Sequence, residues 1–228
     1  MSDHREDPPV NPLPPVVWLL FFAVVAPELV FFAGEQGLVG GPAAVGWRLT
    51  AIEAFGFSAE LFDWMVETGR WMPEHLVRFV TYPFVQGSFS GTLFAAVFVL
   101  ALGKLVGETL GHSAVLLLFV GGGAFGALAY AVLLNDPSWL VGGFPACYGL
   151  IGGYTFVVWL SLGARGQEQL GAFSLIAVLM GIQLLFGALF GGNLTWMADL
   201  FGFIFGFFAS MMTVPGSFAR FLQKLRRD

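Results

Sequence analysis

The sequence predicts an all-α membrane protein, a bundle of six transmembrane helices with a long amphipathic first loop. Three observations carry this. The composition is 57% hydrophobic and 16% aromatic with only 11% charged residues, outside the proportions of a soluble fold. Six apolar stretches each approach the roughly 20 residues needed to cross a hydrocarbon core about 30 Å thick. Between the first two stretches the apolar residues alternate with acidic ones instead of excluding them, as in a helix lying in the interface plane. A length of 228 residues leaves room for one domain, and the lone Cys147 excludes an internal disulfide and any multi-cysteine metal site. A net charge of −5 says less than where the charges fall.

Residues 1–15 are polar and rich in proline (Pro8, Pro9, Pro12, Pro14, Pro15), which suits a flexible tail. The run from Val16 to about Phe32 is longer than the apolar core of a signal peptide and lacks a small-residue cleavage site, so it reads as a retained first span. In the interfacial loop, about 40–82, Ile52, Phe55, Leu61, Phe62, Trp64 and Met65 recur at helical spacing between Glu53, Glu60, Asp63 and Glu67. Trp47, Trp64 and Trp71 suit the headgroup depth. Further spans are expected at roughly 84–106, 113–134, 139–162, 170–190 and 194–214, so that the membrane domain covers 16–215. Residues 216–228 form a basic tail whose Phe218, Phe221, Leu222 and Leu225 could rest on an anionic leaflet; a solvated tail accounts for them equally well. With the N-terminus inside, Arg5, Lys104, Arg165 and the C-terminal basic residues are cytoplasmic, against Arg48, Arg70 and Arg78 outside. The positive-inside rule favours this orientation, with both termini cytoplasmic.

Two spans carry the distinguishing pattern. The fourth contains Gly142-Gly143-Phe144-Pro145-Ala146-Cys147-Tyr148-Gly149-Leu150-Ile151-Gly152-Gly153, dense in the small residues that let membrane helices touch backbone to backbone. The sixth contains Ala198-Asp199-Leu200-Phe201-Gly202 through Gly206, with Gly202 and Gly206 on one face. These stretches resemble the GxSGxxxGLxG and AHxxGxxxG motifs of the rhomboid intramembrane serine proteases. Setting Gly149-Leu150-Ile151-Gly152 on GLxG puts Gly142 at the first glycine, Phe144 at the nucleophilic serine and Pro145 at the glycine after it. Asp199 takes the place of the general-base histidine. Through Gly103 and Gly111, the second-helix His and Asn that help to form the oxyanion hole fall on Gly91 and Ala95. The run from His75 to Thr81 resembles the loop motif around Trp-Arg, with Arg78 kept and Val77 at the Trp. Glu108 is displaced by one, leaving Gly107 where rhomboids usually carry a glutamate.

The resemblance implies a six-helix rhomboid-like bundle without the family's chemistry. A serine protease needs a hydroxyl, a base within hydrogen-bond reach and donors for the oxyanion. Phe144 has no heteroatom, and Gly91 and Ala95 have no donor side chain. His4, His75 and His112 lie in tails or loops by this topology. Cys147 is three residues from Phe144 with no base beside it, and the serines of the spans are scattered singly. Losing either member of such a dyad costs about a millionfold in a soluble serine protease. The expectation is therefore a pseudoprotease. Inactive rhomboid relatives, iRhoms and Derlins, bind membrane-protein clients and affect their trafficking or degradation. The implied client-binding residues are Phe144, Pro145, Asp199 and Arg78, reached through an opening on the second and fifth helices, while Gly149, Gly152, Gly202 and Gly206 pack helices.

Asp199 is an acid within a span, as is Glu28 after Pro27, and such residues must face protein or water. Asp199 reads as a group that contacts a client or, protonated, hydrogen-bonds across the bundle, and equally as a residue tolerated in a hydrated cavity. Gln183 reads as a helix-to-helix hydrogen bond, and Gly121, Gly122, Gly123 and Gly126 as packing residues. Two alternatives remain: an active intramembrane protease with a non-standard site, and a transporter, which Glu28 and Asp199 allow but which lacks the internal repeat such folds show. The expected partners are transmembrane client segments, the lipid bilayer and, as a further candidate, a membrane protease acting on the clients. A bacterial inner membrane is the expected location. No cofactor or metal is implied, and the few basic residues at membrane borders give no footprint for nucleic acid.

Overall fold

The computed structural model describes residues 12–134, 136–192 and 194–214. The basic tail at 216–228 and all but the last four residues of the proline-rich tail lie outside this range. Ten α-helices follow one another along the described chain: α1 (Pro15–Glu35), α2 (Trp47–Phe55), α3 (Ala59–Thr68), α4 (Pro73–Leu76), α5 (Arg78–Thr81), α6 (Phe89–Thr109), α7 (His112–Leu133), α8 (Phe144–Ala164), α9 (Ser174–Phe190) and α10 (Trp196–Thr213). Six are long and apolar enough to cross a membrane: α1, α6, α7, α8, α9 with the 3-10 turn Gln169–Phe173 before it, and α10. They agree with the six expected stretches.

The starts of α6 and α8 lie later than hydropathy suggests. Phe84 and Val85 continue the apolar run of the second span, but Tyr82–Phe84 form a 3-10 turn. The helix begins only after Ser88, whose Oγ accepts a hydrogen bond from the Gly91 N–H at 3.2 Å and so serves as its N-cap. Trp139, Leu140 and Val141 are equally apolar, yet Leu140 is extended and forms an isolated bridge with Phe57, with paired backbone bonds of 3.0 and 2.8 Å. The chain then turns at Gly142, whose φ of +95° is a conformation open to glycine, and Pro145 occupies the first turn of α8, where its missing N–H costs nothing. Hydropathy records what a stretch is made of, and these two stretches are apolar without being helical.

The first loop is divided more finely than a single interfacial helix. Gly56 ends α2, Ser58 caps α3 by accepting from Leu61 N–H, and Gly69 ends α3 at φ +66°. The loop is anchored on the bundle by a cluster of Phe57, Tyr82, Tyr130 and Leu140, with Phe79 packed against it. Tyr82 donates from its hydroxyl to the Gly123 carbonyl of α7 at 2.8 Å.

At the centre, α7, α8 and α10 meet at backbone distance. A Cβ on Gly149 would fall on the Leu118 carbonyl of α7, and one on Gly206 would fall on the carbonyl of Gly149 itself. Gly202 and Gly152 are closed in the same way by the carbonyls of Pro145 and Phe203. Gly122 and Gly126 of α7 face Gly149 and Ala198, where an added Cβ would stand 2.8 and 2.5 Å from the neighbouring backbone. In lipid, where apolar burial gives little drive for helices to associate, such contact supplies dispersion energy that larger side chains would prevent. On one flank α1 packs Val17, Leu20 and Val24 into the core formed with Val99, Leu102 and Val106 of α6. On the other side α9 is only lightly held, with Ile176 and Met180 as its buried residues.

Candidate functional site

Successive spans alternate in direction, so α6, α8 and α10 begin at the same end of the bundle, the end that carries the first loop. Phe144 is the first residue of α8 and Asp199 the fourth of α10, about one helical turn in. Between them and α9 lies a cavity of about 430 Å³, walled by Phe98 of α6, Trp139 to Val141, Phe144, Pro145 and Tyr148 of α8, Leu179, Ile182 and Gln183 of α9, and Thr195 and Asp199. Phe144 is half-buried and packs against the central core, and Pro145 is fully buried behind it.

One polar chain crosses this apolar space. The Tyr148 hydroxyl donates to Gln183 Oε1 at 3.2 Å, and Gln183 Nε2 donates to Asp199 Oδ2 at 2.7 Å. Gln183 thus bonds helix to helix, as its position in the fifth span suggests. Asp199 is only 2% exposed, and among the described residues no Lys, Arg or His lines the cavity. Its second oxygen, Oδ1, accepts no hydrogen bond among the described residues. Cys147 is buried one turn into α8, where its Sγ lies 3.7 Å from the Ala95 carbonyl. Among the described residues no cluster of His, Cys, Asp or Glu could hold a metal ion.

Gly91 and Ala95 lie beside the start of α8 and outside the cavity wall. A residue the sequence gives no reason to single out fills the space next to them. Gln86 is 2% exposed, its Nε2 donates to the Pro83 carbonyl at 2.9 Å and its Oε1 accepts from the Gly143 N–H at 3.3 Å. Ala95 packs against the same glycine, 3.6 Å from where a Cβ on Gly143 would stand. A side-chain amide therefore occupies a backbone donor at the N-terminus of α8.

Arg78 stands apart from the cavity. Its Nη1 donates to the carbonyls of Glu53 and Gly56 at 2.9 and 3.0 Å, closing the C-terminus of α2, and its guanidinium lies 5.4 Å from the Trp139 ring centroid. Trp139 in turn lines the cavity, so Arg78 holds one of its walls from behind.

The first-span acid has a partner as well. Glu28 receives both terminal nitrogens of Arg48, each at 2.8 Å, and the Thr92 hydroxyl of α6 at 2.9 Å. Arg48 also donates to Glu35 at 2.9 Å and to the Gln86 carbonyl at 3.1 Å, and its guanidinium covers the Phe31 ring at 5.4 Å. The hydrogen bonds to Glu28 raise the already high pKa of Arg48 further, so the guanidinium stays charged. Arg48 thereby joins α1, the first loop and the segment that leads to Gln86. The sequence offers a faint signal for the pair: Arg48 is the first basic residue after the span that holds Glu28.

Six spanning helices around a glycine-lined centre, with a cavity walled in part by α6 and α9, define a polytopic integral membrane protein. Residues 73–216 match the family model for the Rhomboid domain, and the chain belongs to the rhomboid family. Members of that family are intramembrane serine proteases, and the six-helix bundle is rhomboid-like. No curated protein matches the chain significantly.

Proposed function

We propose that this chain is a catalytically inactive member of the rhomboid family that binds transmembrane segments of client membrane proteins and influences their stability or degradation. The observation that carries the reading is the ring of Phe144 on the cavity wall at the position which the family motif gives to its nucleophile. Peptide hydrolysis by the family's route needs a hydroxyl and a base there, and the arrangement around Phe144 offers a phenyl ring and a carboxylate bound to an amide. Gln86 occupying the Gly143 N–H agrees with this, because a donor already in use is not available to an oxyanion.

The walls favour gripping a helix from the side. Two turns of a helix about 10 Å wide fill roughly 800 Å³. A cavity of about 430 Å³ therefore receives a few side chains of a client lying between α6 and α9, with Phe144 and Pro145 below them. The clients, and a membrane protease that would degrade them, are partners in the same proposal. So is a bacterial inner membrane with both chain termini in the cytoplasm, which the distribution of basic residues supports.

The test is a photoreactive phenylalanine analogue at position 144 in native membranes. Capture of membrane proteins through their spanning segments, with no cleavage of those proteins by the wild-type chain, is the expected result. Cleavage of a membrane-embedded reporter that is abolished by a single substitution in this chain would overturn the proposal in favour of an active protease.

A further inference from the structure

We infer that the cavity selects client segments carrying a lysine or arginine near the end of the span that faces the first loop, with Asp199 as the specificity-determining residue. The inference rests on the client-binding reading and names the class of segment.

The argument starts from the cost of an acid in an apolar environment. Asp199 is 2% exposed on a wall otherwise formed mainly by Phe98, Phe144 and Ile182 and their neighbours, and a carboxyl group within a span is expensive unless it is paired. Glu28 of this same chain shows what pairing looks like: two guanidinium contacts at 2.8 Å and a hydroxyl at 2.9 Å. Asp199 has one neutral amide at 2.7 Å, and its Oδ1 accepts nothing among the described residues. The Tyr148 hydroxyl, which donates to the Gln183 carbonyl oxygen at 3.2 Å, holds that amide with its Nε2 turned to Oδ2. The amide and phenol therefore fix the carboxyl in place and leave one oxygen for a donor from outside the chain.

Charge complementarity defines that donor. Among the described residues no cationic side chain lines the cavity and Asp199 is the one ionisable carboxyl on its wall, which a client ammonium or guanidinium would meet. The depth is set by the helix: Asp199 lies three residues from Trp196 at the start of α10, or about 4.5 Å along the axis. A long basic side chain can reach such a site while its stem covers apolar surface. The matching position on a client is within its first two turns from the same end.

The experiment uses the full chain in nanodiscs and synthetic 22-residue Leu/Ala spanning peptides with a fluorescent label. One peptide carries a single Lys in the turn nearest the loop end, a second carries Met there, and a third carries the Lys at the opposite end. The first should bind about tenfold more tightly than the other two, and Asp199→Asn, which keeps the size and the bond to Gln183, should abolish the difference. Equal binding of the Lys and Met peptides to wild type overturns the inference while leaving client binding intact. A Lys preference that survives Asp199→Asn, or that ignores the position of the Lys, also overturns it. Failure of every peptide to bind, together with no capture from position 144, overturns the client-binding reading itself.

Discussion

Arg48 shows how much can depend on one side chain in a membrane protein. Its side chain is 15% exposed and that of Glu28 is 2% exposed, so the pair is held largely out of water. A buried pair is often no more stable than a well-packed apolar replacement, but removing one partner leaves an uncompensated charge. Arg48→Met should therefore lower unfolding stability in detergent by about 3 kcal/mol, whereas the double variant Glu28→Met with Arg48→Met should lose clearly less. A double-mutant cycle from denaturant unfolding measures both. Equal losses from the single and double variants would mean that packing around the aliphatic stems matters more than charge. The side chains differ in how legible they were. Glu28 announced itself as an acid in an apolar run, while its partner was marked only faintly, as the first basic residue after that span. Gln86 gave no warning, because a lone glutamine between two apolar runs has nothing in its local pattern to mark it.

Among the elements, the contrast is between the three helices fused at their glycines and the fifth span beside them. Gly206 of α10 stands over the Gly149 carbonyl so closely that the smallest possible side chain overlaps a backbone oxygen, which has no rotamer by which to withdraw. Gly206→Ala should cost about 3 kcal/mol or more and lower the yield of folded protein, since the helices must separate to accept the methyl group. The comparison variant is Gly181→Ala on α9, where a Cβ meets nothing within 4 Å, and its unfolding midpoint should stay near that of wild type. Hydropathy and small-residue spacing made these elements readable: six spans emerged at their correct places in the chain. Two helix starts did not, because Phe84 is apolar to pack against the bundle core from a 3-10 turn, and Leu140 to join the first-loop cluster through an isolated β-bridge. The division of the first loop at Gly56 and Gly69 was likewise hidden, since periodicity alone joins α2 to α3 across a glycine.

For the whole molecule, the loop between α1 and α6 and the helix starts that wall the cavity share one end of the bundle. Single cysteines in a Cys147→Ala background report which side this is. A cysteine at Gly37 should react with a membrane-impermeant maleimide in intact cells, and one at Gly166, between α8 and α9, only after permeabilisation. The reverse pattern would put the cavity on the cytoplasmic side and the basic residues outside. The general plan of the bundle was within reach of the sequence because spans and glycines are local signals. The cavity was only partly so: the sequence marked Phe144, Pro145 and Asp199, but the bond between Gln183 and Asp199 joins α9 to α10 and depends on how those helices face each other.

The clamp between Glu28 and Arg48 also bears on how the chain is made. Ribosomes add roughly 5–20 residues per second, so an arginine twenty positions downstream emerges about one to four seconds after the acid. Thr92 lies sixty-four positions downstream and arrives several seconds later still. The first span can thus meet its counter-charge while the second is still being synthesised, and the earliest helix hairpin need not wait in the bilayer with a bare carboxylate.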